Sequence, residues 1–117
     1  PQKRPGWLLI APGLHDGVMM LAQLHSEIVA HPNNTYVIKP HPRADNRYLV
    51  PWSSTENVQI SAQPIAELLA VVSHVFVTYS SVGVEAKYLG IDITVVDVPG
   101  RVNASPLLDL ANSEIEA

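Results

Sequence analysis

Five short apolar runs, separated by stretches of helical period, constrain this chain more than any other feature. They are Trp7–Ala11 (WLLIA), Thr35–Lys39 (TYVIK), Asn57–Ile60 (NVQI), Val75–Val77 (VFV) and Ile93–Val96 (ITVV). Each has strand length, and unbroken rather than alternating hydrophobicity marks strands covered on both faces. Between the first two, Val18, Leu21, Leu24, Ile28 and Val29 are spaced as one face of a helix running from His15 or Asp16 to Ala30. Pro64 suits a first helical position, and Ile65, Leu68, Leu69 and Val72 follow at helical spacing. Val82–Leu89 reads as a further helix stopped by Gly90. Ala44–Val50 predicts one helical turn at most, and Pro51–Glu56 a polar loop. A last short helix is expected over Pro106–Asn112, ahead of a fraying acidic end at Glu114–Ala117. Strands alternating with helices over short connections predict an α/β, three-layer Rossmann-like domain. Its sheet is mostly parallel, with about five strands and helices on both faces.

The chain has 117 residues, which suits a single domain. A net charge of −4 gives no bulk attraction for nucleic acid or for a membrane surface. The absence of cysteine excludes disulfides and thiolate metal sites, and fits a cytoplasmic protein. The five histidines lack metal-binding spacing, so no metal site is expected. No apolar run approaches the ~20 residues needed to span a bilayer, and no signal-peptide pattern opens the chain. Its start, Pro1-Gln2-Lys3-Arg4-Pro5, lacks an initiating methionine and reads like a linker. Residues 1–117 are therefore expected to be one domain cut from a larger protein.

In parallel sheets, ligands bind beyond the C-terminal ends of the strands. That rule converts the loops into a map. The richest loop is Thr78-Tyr79-Ser80-Ser81, where a strand hands over to a helix. First-turn N–H groups have no partner inside their helix, and that end carries partial positive charge. Two hydroxyls added there suit a phosphate. Glu85 lies one turn further on nearly the same face, which together reads as a phosphate-and-ribose cradle. The plainer alternative makes Ser80 or Ser81 an ordinary N-cap. In Pro40-His41-Pro42-Arg43, two prolines stiffen the backbone around a histidine. His41 can donate to a phosphate oxygen, and Arg43 adds a charged fork. The alternative is a rigid surface loop with an incidental imidazole. The turn Gly13-Leu14-His15-Asp16-Gly17 lacks the spacing of a dinucleotide fingerprint or P-loop. Gly13 lets a substrate approach the backbone, and His15 and Asp16 are catalytic candidates beside the favoured reading, a first helical turn capped by Asp16. The G-x-S-x-G elbow of a serine hydrolase is missing around Ser81.

These two motifs together, KPHPR at Lys39–Arg43 and TYSSVGVEAKYLG at Thr78–Gly90, resemble a known family. It is the C-terminal nucleotide-binding domain of GT-B-type transferases that build bacterial surface polysaccharides. The likeness is nearest to capsule-polysaccharide, sialyl- and Kdo-transferases with HP and SS motifs, and to CDP-glycerol glycerophosphotransferases. It covers Thr35–Pro99 well, and the first 34 residues only generically. The resemblance implies that His41, Ser80 and Ser81 hold the nucleotide phosphate and that Glu85 stands where GT-B folds contact the ribose. It also implies a nucleotide-activated sugar or polyol donor as substrate, with no metal or other cofactor. A missing N-terminal domain would bring the acceptor, leaving this half inactive alone. The full-length protein would be cytoplasmic, with peripheral association at the inner membrane face compatible with that role. Sugar-nucleotide epimerases share the architecture, but typically carry a glycine-rich turn with paired glutamates where this chain has serines and Glu85. A reading of another class is a flavodoxin-like regulatory or interaction domain without nucleotide, which predicts an apolar patch rather than a polar crevice at the strand ends.

Overall fold

The computed structural model describes residues 4–78 and 81–97. The expected helix at Pro106–Asn112 and the acidic end at Glu114–Ala117 lie outside the described residues, as do Tyr79, Ser80 and Arg101. The elements run β1 (Trp7–Ala11), α1 (Gly17–Ala30), β2 (Thr35–Ile38), a 3-10 segment (Arg47–Ser54), β3 (Val58–Ile60), α2 (Ile65–Val71), β4 (His74–Val77), α3 (Ser81–Tyr88) and β5 (Asp92–Val95). All strand pairs are parallel, in the order β3-β2-β1-β4-β5. The fold is a Rossmann-like α/β sandwich.

Residue alternation along the strands sorts side chains into two cores. Leu9, Val37, Val75 and Val77 point to the face covered by Leu68, Leu69 and Val72 at α2 and by Ala86 of α3. Ile10, Tyr36, Ile38 and Phe76 point to the other face, against Met20, Leu21, Leu24 and Ile28 of α1 and Leu49 of the 3-10 segment. Burying each such aliphatic side chain contributes about 2 kcal/mol against the cost of ordering the chain.

Helix α1 buries Leu21, Leu24 and Ile28 as its sequence suggests, but not the two valines at its ends. Its core stripe is Gly17, Met20, Leu21, Leu24 and Ile28. Val18 and Val29, expected on the apolar face, are both 61% exposed. The stripe follows the i, i+3, i+4, i+7 rows that point at the sheet, and those two valines lie off them. At the far end, the Asn57 side chain donates to the carbonyls of Ile28 and His31, satisfying groups the helix leaves open. Residues 47–54 are the second difference. One turn and a polar loop were expected, yet a 3-10 run forms with Pro51 inside it. Its shorter repeat tolerates the missing N–H where an α-helix would not. Helix α3 ends as its glycine predicts. Gly90 takes φ +79, its N–H donates to Lys87 O, and Ile91 N–H donates to Ala86 O, which is a Schellman closure.

Tyr36 supplies a pH handle on this framework. Its hydroxyl donates to Glu27 Oε2 at 2.7 Å and accepts from Asn34 at 3.2 Å. Burial, reinforced by the Glu27 carboxylate, pushes the phenol up to about 12 from 10.0. Above pH 10 the unfolded phenol loses its proton while the folded one keeps it. Stability therefore falls as pH rises from about 10 toward about 12. Urea midpoints taken across that window should drop, and Tyr36→Phe should flatten the drop.

Candidate functional site

The sheet changes direction at one place. The chain steps from β1 outward to β2 and β3, then returns to lay β4 on the other flank of β1. In such sheets ligands bind where the order reverses, which here is the boundary between the C-terminal ends of β1 and β4. The turn after β1 and the turn after β4 therefore meet. The turn after β2, carrying His41, leaves the same edge about 10 Å from the end of β4, two strand spacings away.

Asp16 ties the two turns together. It occupies the N-cap position of α1, and its backbone carbonyl accepts from Met20 N–H at 2.9 Å. The side chain, however, makes no capping bond to the helix. It turns back instead, with Oδ1 accepting from Gly13 N–H at 2.7 Å and Oδ2 from the Thr78 hydroxyl at 2.5 Å. Asp16 is 1% exposed. A buried carboxylate is tolerable only with such donors. It fixes the curl of the loop after β1 and staples that loop to the last turn before α3. The expected role of Asp16 as a side-chain cap is thus replaced by a cross-strand tie. Gly13, expected to offer its backbone to a substrate, is buried and commits its N–H to Asp16.

His41 is half-buried, and its Nδ1 accepts from the backbone N–H of Arg43 at 3.1 Å. A backbone amide only donates, so Nδ1 is unprotonated and the neutral ring carries its proton on Nε2. Pro42 sits between them, exposed, and holds the turn that makes this bond, with Ala44 N–H closing it on His41 O at 3.1 Å. The Nε2–H is left as the donor toward any ligand. Arg43 is exposed and borders a cleft of about 340 Å³ with His15, Gly17 and Tyr48, between the turns after β1 and β2. Helix α3 begins at Ser81, and Glu85 is exposed one turn later. Ser80 lies outside the described residues. Among the described residues no cluster of three His, Asp or Glu side chains gathers as a metal site, and no helix is long and apolar enough to cross a membrane.

Two participants had no role in the sequence reading: Thr78, named there only as part of the loop after β4, and Tyr48. Thr78 carries a signal in hindsight, since a hydroxyl at a strand end is well placed to reach a neighbouring loop. Tyr48 lies against Gly17 so closely that a Cβ there would sit 2.2 Å from the phenol oxygen. Its hydroxyl is buried with no hydrogen-bond partner among the described residues, and burial next to Asp16 pushes its ionisation upward. A buried unpaired hydroxyl costs free energy, so Tyr48→Phe should raise stability by about 1 kcal/mol in a denaturant titration.

Two solved structures share this fold. One is UDP-GlcNAc 2-epimerase from Neisseria meningitidis bound to UDP-GlcNAc, with TM-score 0.64 and 15% identity over 98% of this chain. The other is Thermosulfurimonas dismutans KpsC, a beta Kdo 2,7 transferase, with TM-score 0.56 and 21% identity over 85% of this chain. The chain spans 36% of the length of each. No family model and no curated protein matches it. At these identities the likeness is one of fold.

Proposed function

We propose that the chain is the donor-nucleotide-binding domain of a glycosyl- or glycerophosphotransferase in bacterial surface polysaccharide synthesis. The observation carrying this reading is the reversal of strand order at β1 and β4. That boundary lies beside the start of α3, on the sheet edge that also bears His41, which supports a ligand site there. The donor phosphates lie at the α3 N-terminus, held by Ser80, Ser81 and the first-turn amides. His41 donates its Nε2–H from across β1, Arg43 adds positive charge, and Glu85 takes the ribose hydroxyls. The Asp16–Thr78 tie keeps the two turns in register without contacting the ligand. As the bond to the transferred group breaks, negative charge grows on the leaving phosphate. Preorganised donors at that spot stabilise it more than they stabilise the ground state. The acceptor comes from a further domain, so this half binds the donor without turning it over.

Support for the class comes from the fold likeness to a sugar-nucleotide epimerase and to a Kdo transferase. The higher TM-score with the epimerase favours an epimerase-like domain as the second reading. Calorimetric titration with CMP, CDP, UDP and their sugars separates the alternatives. Heat with cytidine nucleotides favours the transferase reading over the epimerase-like one, whose structural neighbour binds UDP-GlcNAc, and heat with UDP compounds alone fits both nucleotide readings. Silence from all of them at millimolar concentration removes both and leaves the nucleotide-free interaction domain.

A further inference from the structure

His15 has no part in the nucleotide reading, yet the fold gives it a setting of its own. Its neighbour Asp16 is buried and bonds toward β4 through Thr78. His15 and Gly17, on either side of Asp16, line the cleft of about 340 Å³ that opens toward the turn after β2. The turn after β1 therefore stands between this cleft and the start of α3. Leu14, Ala44 and Tyr48, all half-buried, supply an apolar wall, and His15 and Arg43, both exposed, a polar rim. The volume lies at the low end of the ~300–1,000 Å³ usual for small-ligand sites, so it suits a compact molecule rather than a nucleotide.

The free charge on that rim is positive. Asp45, the one acid lining the cleft, is already spent: its Oδ1 and Oδ2 accept from Arg47 Nε at 3.0 and 2.9 Å, and Oδ2 also accepts from Arg47 Nη2. Those bonds hold its carboxyl below the usual carboxylate range. The Arg43 guanidinium and the His15 imidazole have no ion pair or hydrogen bond among the described residues. Arg43 offers a permanently charged fork of N–H donors, and an imidazole offers an N–H. The two belong to different turns flanking the cleft, so a ligand between them meets donors from two sides. One guanidinium face satisfies a planar carboxylate, whereas the oxygens of a tetrahedral phosphate take donors from several directions.

We propose that this cleft is a second anion site, separate from the nucleotide site, that takes a small phosphomonoester. Arg43 and His15 hold the phosphate, and the carbon part of the ligand rests on Leu14, Ala44 and the Tyr48 ring. The site needs no nucleotide at α3 to form.

A 15N chemical-shift titration with glycerol 3-phosphate, at ionic strength held constant with chloride, is the test. Saturable shifts are expected at the His15, Gly17, Val18 and Ala44 amides, and they persist when CDP or UDP is added. Arg43→Gln and His15→Gln, both at exposed positions, should each weaken that affinity roughly tenfold while the strand signals stay in place. Inorganic phosphate should bind the same amides more weakly, and acetate should not saturate them. No saturable shift at millimolar ester overturns the proposal, and so does an affinity that Arg43→Gln leaves unchanged. Acetate binding as tightly as the ester makes the cleft a carboxylate site, and inorganic phosphate doing so makes it a free-phosphate site; either overturns the proposal. Loss of the shifts on adding nucleotide assigns the cleft to the nucleotide site and overturns it too. The donor reading is reported separately, by nucleotide shifts at Ser81–Glu85, and fails alone if only those are missing.

Discussion

Replacing Asp16 with alanine is expected to lower the unfolding free energy by about 3 kcal/mol, because two buried donors lose a charged acceptor at once. Gly13 N–H and the Thr78 hydroxyl would be stranded in a site to which water has almost no access. Asp16→Asn should cost less. Its carboxamide oxygen can still serve one donor, while its NH₂ faces the other. Denaturant midpoints give the order wild type, Asn, Ala. A cycle with Thr78→Val isolates the cross-strand part, since removing both partners spares the second stranded group. If Asp16→Ala leaves the midpoint unchanged, the tie across β1 and β4 contributes nothing.

The second large effect concerns binding rather than folding. Ser80→Ala with Ser81→Ala should weaken nucleotide affinity roughly 30-fold, about 2 kcal/mol, as expected for two hydroxyl donors lost from a phosphate. His41→Ala should weaken it roughly tenfold, about 1.4 kcal/mol, through loss of the Nε2–H donor. The unfolding midpoint should barely move in either case; His41 belongs to neither core. The pairing of lost affinity with kept stability distinguishes ligand-holding groups from a structural cap. A serine acting only as the α3 N-cap would show the reverse, with about 1 kcal/mol of stability lost and affinity retained.

Much of the architecture was legible in the residues because its signals are local. Unbroken runs such as Trp7–Ala11 announce strands buried on both faces, and Gly90 announces the end of α3. Where the reading missed, the cause was not local. Val18 and Val29 are as apolar as Met20, and only the direction of the sheet decides which of them it covers. The 3-10 run at 47–54 depends on Leu49 and its neighbours packing under β2 and β3, which no short window reveals. The Asp16–Thr78 bond joins residues 62 apart, so Asp16 read alone looks like any other helix cap. Strand alternation implied a parallel sheet, but the order β3-β2-β1-β4-β5 came from the packing. His41 and Ser81 drew attention by chemistry, and the parallel strands bring their turns to one edge.

The most direct measurement is a 15N chemical-shift titration of the chain with CDP and UDP. The account predicts saturable shifts at the turn after β1, at His41–Arg43 and at Ser81–Glu85, with the amides near Ser73 and Asp92 on the opposite edge unmoved. Shifts confined to that opposite edge, or no shifts at millimolar nucleotide, would contradict it.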